Sequence, residues 1–158
     1  MPLASLQDIL AATEPASALA IGTQAAAALN ALRSTQPQIT LHTLPHDTAT
    51  AELSSLGVHD LALVSDLARS THARGGILLA QLRDLYARRV LVLLAPADAE
   101  IWSHQDMIGH GFSRVSEWKR QDPQSELYRF DIADYKTTPD WLNSRYWAHP
   151  ELFDKHRW

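Results

Sequence analysis

Residues 17–29 constrain the fold of this chain more than any other segment. Residues 18–21 are all apolar, which predicts a strand covered on both faces. Gly22 then makes a tight turn, and the alanine-rich stretch after it predicts a helix. The order strand, glycine turn and helix is typical of α/β domains that bind nucleotides and cofactors. A cofactor-binding turn usually carries two or three glycines, so the single Gly22 favours this fold but argues against such a ligand.

Length and composition limit the remaining possibilities. A chain of 158 residues is long enough for one domain with its own core. Cysteine is absent, which excludes disulfides and thiolate metal sites. No apolar run approaches the length of a membrane span, and the first residues lack the pattern of a leader, so we predict a cytoplasmic protein without a membrane partner. The net charge of −4 does not favour nucleic acid binding.

Strands and helices are predicted to alternate through the first two thirds of the chain. Further strands are predicted at residues 39–43, 61–64 and 90–94, with a short helix at the N-terminus and others at residues 23–32, 49–56 and 98–110. Gly75 and Gly76 are placed in a connection before a helix bearing Leu78, Leu82 and Leu85 on one stripe. Arg88 and Arg89 are placed at the end of that helix, where cations suit the helix dipole.

The pattern changes after residue 111. Residues 112–119 and 126–132 predict two antiparallel strands, because Tyr128, Phe130 and Ile132 alternate with polar side chains. We therefore expect an α/β fold with a mostly parallel sheet, helices on both faces and a closing antiparallel hairpin. Residues 1–135 would form this domain, and residues 136–158 an aromatic extension packed on it.

Several segments together resemble the class I S-adenosylmethionine-dependent methyltransferase fold. The sequence HDLALVSD at residues 59–66 is similar to that family's fourth strand, which often ends in an acidic residue near the substrate. Residues 79–94 resemble the helix and fifth strand that follow, and Gly111-Phe112 with the hairpin resembles the antiparallel end. The resemblance implies a Rossmann-like sheet over residues 17–132. The end of the chain also resembles that of a small uncharacterised bacterial family, which supplies no function.

Three departures identify the chain as a degenerate relative of these enzymes. The first loop has neither the acid nor the repeated glycines that the family places against the cofactor. The second strand ends in His42-Thr43-Leu44, without the acidic residue that binds the ribose hydroxyls. About fifteen residues separate the second strand from the strand at residue 61, which is too short for the usual helix, strand and helix. We expect one edge strand to be missing.

The residues that could bind a ligand are Gly22, Thr23 and Asp66. Gly22 and Thr23 could contact an anion through the N-terminus of the helix that follows, although a plain turn capped by Thr23 is favoured. Asp66 could hold a substrate or a proton at the carboxyl edge of the sheet, or cap the next turn. The residues do not decide between these two roles for Asp66.

Metal and nucleophile chemistry are not predicted. Pro45 separates His42 from His46, so the two do not share a helical face. His104 and His110 are six residues apart and do not share one either. Ser65 and Ser70 lack the glycine-flanked turn of a serine nucleophile. We assign no metal site and no catalytic residue.

The aromatic tail offers the candidate interaction residues Trp141, Tyr146, Trp147 and Trp158. These rings must be buried somewhere. Packing on the chain's own sheet is favoured, because buried aromatic side chains near a terminus usually anchor that terminus to the domain. Docking on an unidentified protein partner is the second reading. Stacking with nucleic acid is discounted, because acidic residues in the tail cancel the basic ones.

The sequence predicts a non-catalytic, methyltransferase-like binding or scaffold domain, that is, a pseudoenzyme without a cofactor. The alternative is an S-adenosylmethionine-dependent methyltransferase with an atypical loop, using Gly22 and Asp66 at the cleft. Binding of another small anion or nucleotide at the same strand edge is a third possibility. Substrate, partner and oligomeric state are not indicated.

Overall fold

Six strands form the central sheet of the protein, for which a computed structural model describes residues 3–120 and 124–134. They are β1 (Ser17–Ile21), β2 (Thr40–Leu44), β3 (His59–Val64), β4 (Ala87–Leu94), β5 (Ser113–Arg114) and β6 (Glu126–Asp131). Across the sheet their order is β2-β1-β3-β4-β6-β5. The first four strands are parallel, and β6 is antiparallel to both β4 and β5. The predicted mostly parallel sheet with a closing hairpin is confirmed.

Helices cover both faces of this sheet. They are α1 (Leu6–Ala12), α2 (Thr23–Thr35), α3 (Ala49–Leu56), α4 (His72–Gln81), α5 (Pro96–Ala99) and α6 (His104–Gly109). Core residues of α1 and α2 pack on one face, and core residues of α3, α4 and α6 pack on the other. Short 3₁₀ turns at Leu67–Arg69 and Ile132–Asp134 and a π-helix at Leu82–Tyr86 complete the described chain. The predicted Rossmann-like α/β class is confirmed.

Strand β1 shows how the sequence divides between the two faces. Ala18 and Ala20 belong to the core beneath α2, whereas Leu19 and Ile21 belong to the core on the other side. Successive side chains of a strand point to opposite faces, so a continuous apolar run is needed when both faces are buried. The small alanines, with Ala25 of α2 in the same cluster, allow that helix to approach the sheet closely.

Strand β2 lies at one edge of the sheet because no strand is added beyond it. Residues 45–58, all of them described, contain α3 and no strand. The short spacing before β3 had predicted this shortened connection. The exposure of β2 is consistent with its position at the edge. Each of its five residues keeps some exposure, whereas the residues of β1 after Ser17 are fully buried.

Two predicted boundaries around α4 are wrong. Gly75 and Gly76 lie inside α4 and not in a connection before it. A Cβ on Gly75 would lie 2.6 Å from Cζ2 of Trp102, so close packing explains this glycine. Arg88 and Arg89 lie in β4, not at a helix end. Arg89 pairs there with Asp131 at 2.8 Å, an interaction that depends on tertiary structure.

Two predicted elements are shorter than expected. The helix predicted over residues 98–110 is divided into α5 and α6, because the loop between them turns inward and leaves Trp102 only 1% exposed. The strand predicted over residues 112–119 is reduced to β5. Beyond β5 the chain crosses the face of the sheet, where Trp118 is buried and bridges to Ala4.

Candidate functional site

The carboxyl ends of β1, β2 and β3 meet at the edge where open α/β sheets bind their ligands. Gly22 follows β1 with a φ of +106°, a conformation that side chains other than glycine rarely adopt. A Cβ at this position would lie 2.4 Å from Ser65 Oγ and 2.5 Å from the Ser65 carbonyl oxygen. Gly22 therefore lies directly against the residue that follows β3.

The N-terminus of α2 is hydrogen-bonded by the chain itself. The backbone N–H and the hydroxyl of Thr23 both donate to Oδ2 of Asp66, each at 2.7 Å. The Ala25 N–H donates to Ser65 Oγ at 2.9 Å. A free helix N-terminus attracts anions through its unpaired N–H groups and its dipole. Here an internal carboxylate and a hydroxyl occupy that position.

The structure brings together all three predicted ligand-binding residues, Gly22, Thr23 and Asp66, although the side chains of Thr23 and Asp66 do not cap the elements predicted for them. Gly22 is the N-cap residue of α2, and Thr23 is its first helical residue. Asp66 precedes the 3₁₀ turn at Leu67–Arg69 without capping it through its side chain. Thr23 is therefore not the cap of α2, and Asp66 holds the cap position of its turn without a capping side-chain bond, because the two side chains bond to each other across the strand ends.

Asp66 is held in a charged form by these contacts. Its φ of +57° is the left-handed conformation, which aspartate tolerates better than most residues. Partial burial by itself would raise the pKa of the Asp66 carboxyl. Hydrogen bonds from the Thr23 hydroxyl and from the N–H groups of Thr23 and Gln24 outweigh burial and lower that pKa below its usual value.

His46 adds a further contact over the end of β3. Its Nε2 lies 2.6 Å from the Ser65 carbonyl oxygen, and because a carbonyl can only accept, this nitrogen carries the proton. Its Nδ1 is buried and has no hydrogen-bond partner among the described residues. The hydrogen bond from Nε2 connects the loop after β2 to the end of β3, across the end of β1.

A small cavity remains beside these contacts. It has a volume of about 270 Å³ and is lined by Gly22 and Thr23, by residues 43–47 at the end of β2 and in the loop after it, and by Arg69. Sites for drug-sized ligands usually measure about 300–1,000 Å³. Asp47 and Arg69 bring one charge of each sign, so the lining suits neither a strongly anionic nor a strongly cationic ligand.

Sequence reasoning missed the parts played by Ser65 and His46. Ser65 was considered only as a nucleophile, and His46 only as a metal ligand. The signal for Ser65 was its place directly after a buried strand parallel to β1, because such strands end at the same edge. The candidate interaction residues Trp141, Tyr146, Trp147 and Trp158 lie outside the described residues.

Comparison with known proteins gives a family. The model of a family of unknown function, DUF6231, matches residues 1–158. The chain belongs to this family. The comparison with curated proteins finds no match.

Solved structures share the fold of this DUF6231 protein at low sequence identity. PigF with SAH aligns with a TM-score of 0.52 and 11% identity, over 75% of this chain and 57% of that chain. An O-methyltransferase family protein from Burkholderia thailandensis aligns with a TM-score of 0.51 and 9% identity, over 73% of this chain and 50% of that one. This chain thus spans about half of their length. The methyltransferase-like fold is shown.

Neither a metal site nor a membrane-spanning helix is found in the described part of the chain. No three histidine, cysteine, aspartate or glutamate side chains among the described residues are arranged to hold a metal ion. Within the same residues, no helix combines the length and the apolar character that crossing a membrane requires.

Proposed function

We propose that this protein is a non-catalytic, methyltransferase-like domain that acts in binding or as a scaffold, without S-adenosylmethionine. The observation that carries the proposal is the internal occupation of the α2 N-terminus. Asp66 accepts two hydrogen bonds from Thr23, and Ser65 accepts one from Ala25. A cofactor carboxylate approaching the same N–H groups would meet the Asp66 charge.

The end of β2 gives independent support. A bound ribose needs acceptors for its two hydroxyls, and acidic side chains supply them in dinucleotide sites. In this chain β2 ends at Leu44, and the loop after it places His46 against the Ser65 carbonyl. The adjoining cavity, about 270 Å³, is smaller than the usual range for a ligand of this size.

A scaffold role requires a contact surface. Trp141, Tyr146, Trp147 and Trp158 are the residue types that dominate protein interfaces, and a protein partner recognised through some of them remains part of this proposal. The proposal excludes transfer of a methyl group, because it excludes the methyl donor.

Calorimetric titration tests the proposal directly. The full chain is titrated with S-adenosylmethionine and with S-adenosylhomocysteine, and an active methyltransferase is measured in parallel as a positive control. We expect no heat beyond dilution from this chain at millimolar ligand, a range in which even weak binding is detected.

One-to-one binding of either ligand would contradict the proposal. In that case the affinity of the Asp47→Asn variant for the same ligand tests the alternative function as a methyltransferase. Asp47 is chosen because its carboxylate lines the cavity beside the end of β2. A weakened affinity in this variant would assign the ribose-binding role to Asp47.

A further inference from the structure

A second and larger groove lies on the α1–α2 face of the sheet. Its volume is about 650 Å³, well within the range of ligand-binding pockets. The groove is lined by Ala27, Ala28 and Ala31 of α2, by residues at the start of α1, and by Leu93 and Trp118. None of the described residues that line it carries a charge. We call it the alanine groove.

Trp118, which lines the alanine groove, carries a buried polar atom that is not paired in the described part of the chain. Its side chain is 6% exposed, and its indole Nε1 has no hydrogen-bond partner among the described residues. Buried donors are nearly always paired, since an unpaired donor loses its hydration without compensation.

We propose that the alanine groove is occupied by the chain's own C-terminal segment, residues 135–158. This segment carries six of the chain's twelve aromatic residues. Rings of tryptophan and tyrosine are buried favourably against small apolar side chains while keeping a polar atom that can bond. A groove whose described lining has small apolar and polar uncharged side chains matches such rings better than it matches a charged ligand.

The position at which the described chain ends supports this occupant. Asp131 of β6 pairs with Arg89 near the start of β4, so the chain leaves the sheet at the amino ends of its parallel strands. Leu93 and Ala95 in the groove lie near the other end of β4, roughly 20 Å away at about 3.3 Å per residue. A 24-residue segment spans up to about 80 Å when extended.

A path for the segment is present on the same face. A cavity of about 400 Å³ opens beside Asp131 and is lined also by Ile9, Leu91 and Glu117. These residues are close neighbours in sequence of Leu6, Leu93 and Trp118, which line the alanine groove. The segment therefore has a concave surface of mixed apolar and charged residues to follow from the end of β6 towards the groove.

Spin labelling of the full chain tests the proposal, because the absence of cysteine permits a single label at any chosen position. A nitroxide on Ser144→Cys, inside the segment, is expected to broaden the NMR signals of the Trp118 indole N–H and of the Gln24 and Ala28 amides. Signals from Ile77 on the opposite face are expected to stay sharp. The matched control label on Ala51→Cys, an exposed alanine of α3, should leave the groove signals sharp.

A substitution in the groove then shows which surface the segment occupies. Ala31→Arg fills the groove from an exposed helical position, and we expect it to abolish the broadening at Trp118. Ala51→Arg, the matched control on α3, should leave the broadening unchanged.

Three results would overturn the proposal. They are no broadening in the groove, broadening that survives Ala31→Arg, and broadening in a mixture where the label is on a different molecule from the observed nuclei. The last result would assign the occupant to a second copy of the chain. None of these results bears on cofactor binding, so this proposal and the proposed absence of S-adenosylmethionine binding fail independently.

Discussion

At the scale of single residues, Gly22 has two separate reasons to be glycine. Its φ of +106° disfavours any side chain, and Ser65 leaves no room for one. Gly57 provides a comparison, because its φ is +76° while nothing lies within 4 Å of its Cβ position. Comparing substitutions at Gly22 and Gly57 therefore distinguishes the cost of backbone strain from the cost of steric exclusion.

We predict that Gly22→Ala lowers the free energy of unfolding by about 2–5 kcal/mol, the combined cost of strain and overpacking. Gly57→Ala should cost only the strain, about 1–3 kcal/mol. Urea denaturation of both variants measures the difference. Equal losses would mean that the contact between Gly22 and Ser65 does not constrain the loop.

At the scale of secondary-structure elements, α4 keeps Gly75 in its interior because of Trp102. Glycine ordinarily weakens a helix, so alanine at an open helical position is neutral or stabilising. A Cβ on Gly75 would reach within 2.6 Å of the Trp102 ring, whereas one on Gly109 in α6 would meet nothing within 4 Å. His72 stacks on the same indole with 4.2 Å between ring centroids, which further limits its movement.

We predict that Gly75→Ala destabilises the protein by about 1–3 kcal/mol despite the better helix propensity of alanine. Gly109→Ala, the matched control, should change stability by less than about 1 kcal/mol. Thermal unfolding of both variants, followed by circular dichroism, tests this. A stabilised Gly75→Ala protein would refute the packing of α4 against Trp102.

At the scale of the whole molecule, a pair of histidines, of which His59 is buried, links global stability to pH. His59 in β3 is 2% exposed, and its Nε2 lies 2.9 Å from Nδ1 of His42 in β2. Burial lowers the pKa of His59 below 6.5, a bond to the Gly57 carbonyl partly opposes this, and the His42 charge adds to the lowering. The unfolded chain therefore binds a proton at higher pH than the folded chain does.

We predict that stability is constant above the unfolded pKa of 6.5 and falls as the pH drops from there towards the lower folded pKa. The slope contributed by one group reaches at most about 1.4 kcal/mol per pH unit. Urea denaturation between about pH 5 and about pH 8 measures it, and His59→Gln should flatten the curve.

The matched control is His72→Gln, which removes a side chain that is 49% exposed. It should leave the loss of stability at low pH in place. An unchanged pH dependence in His59→Gln would contradict the assignment to His59.

Local patterns were sufficient for the regular elements but not for the corrected boundaries. Continuous apolar runs predicted β1, β3 and β4, because a strand buried on both faces needs apolar residues throughout. The pattern failed at Arg89, whose place in β4 is stabilised by Asp131 from a strand forty residues away. It failed again at Gly75, which reads as a turn residue until Trp102 is known to lie against it.

The sequence by itself determined the α/β class, the single glycine after β1 and the shortened connection before β3, because these depend on the order and spacing of residues along the chain. Only the tertiary structure showed why a glycine is needed at position 22, which packs against Ser65. Strand pairing brings Ser65 and Asp66 to the N-terminus of α2, and two side chains 43 residues apart in sequence, Thr23 and Asp66, meet at 2.7 Å. Such a contact depends on the register of parallel strands in three dimensions, and no local pattern in the chain encodes it.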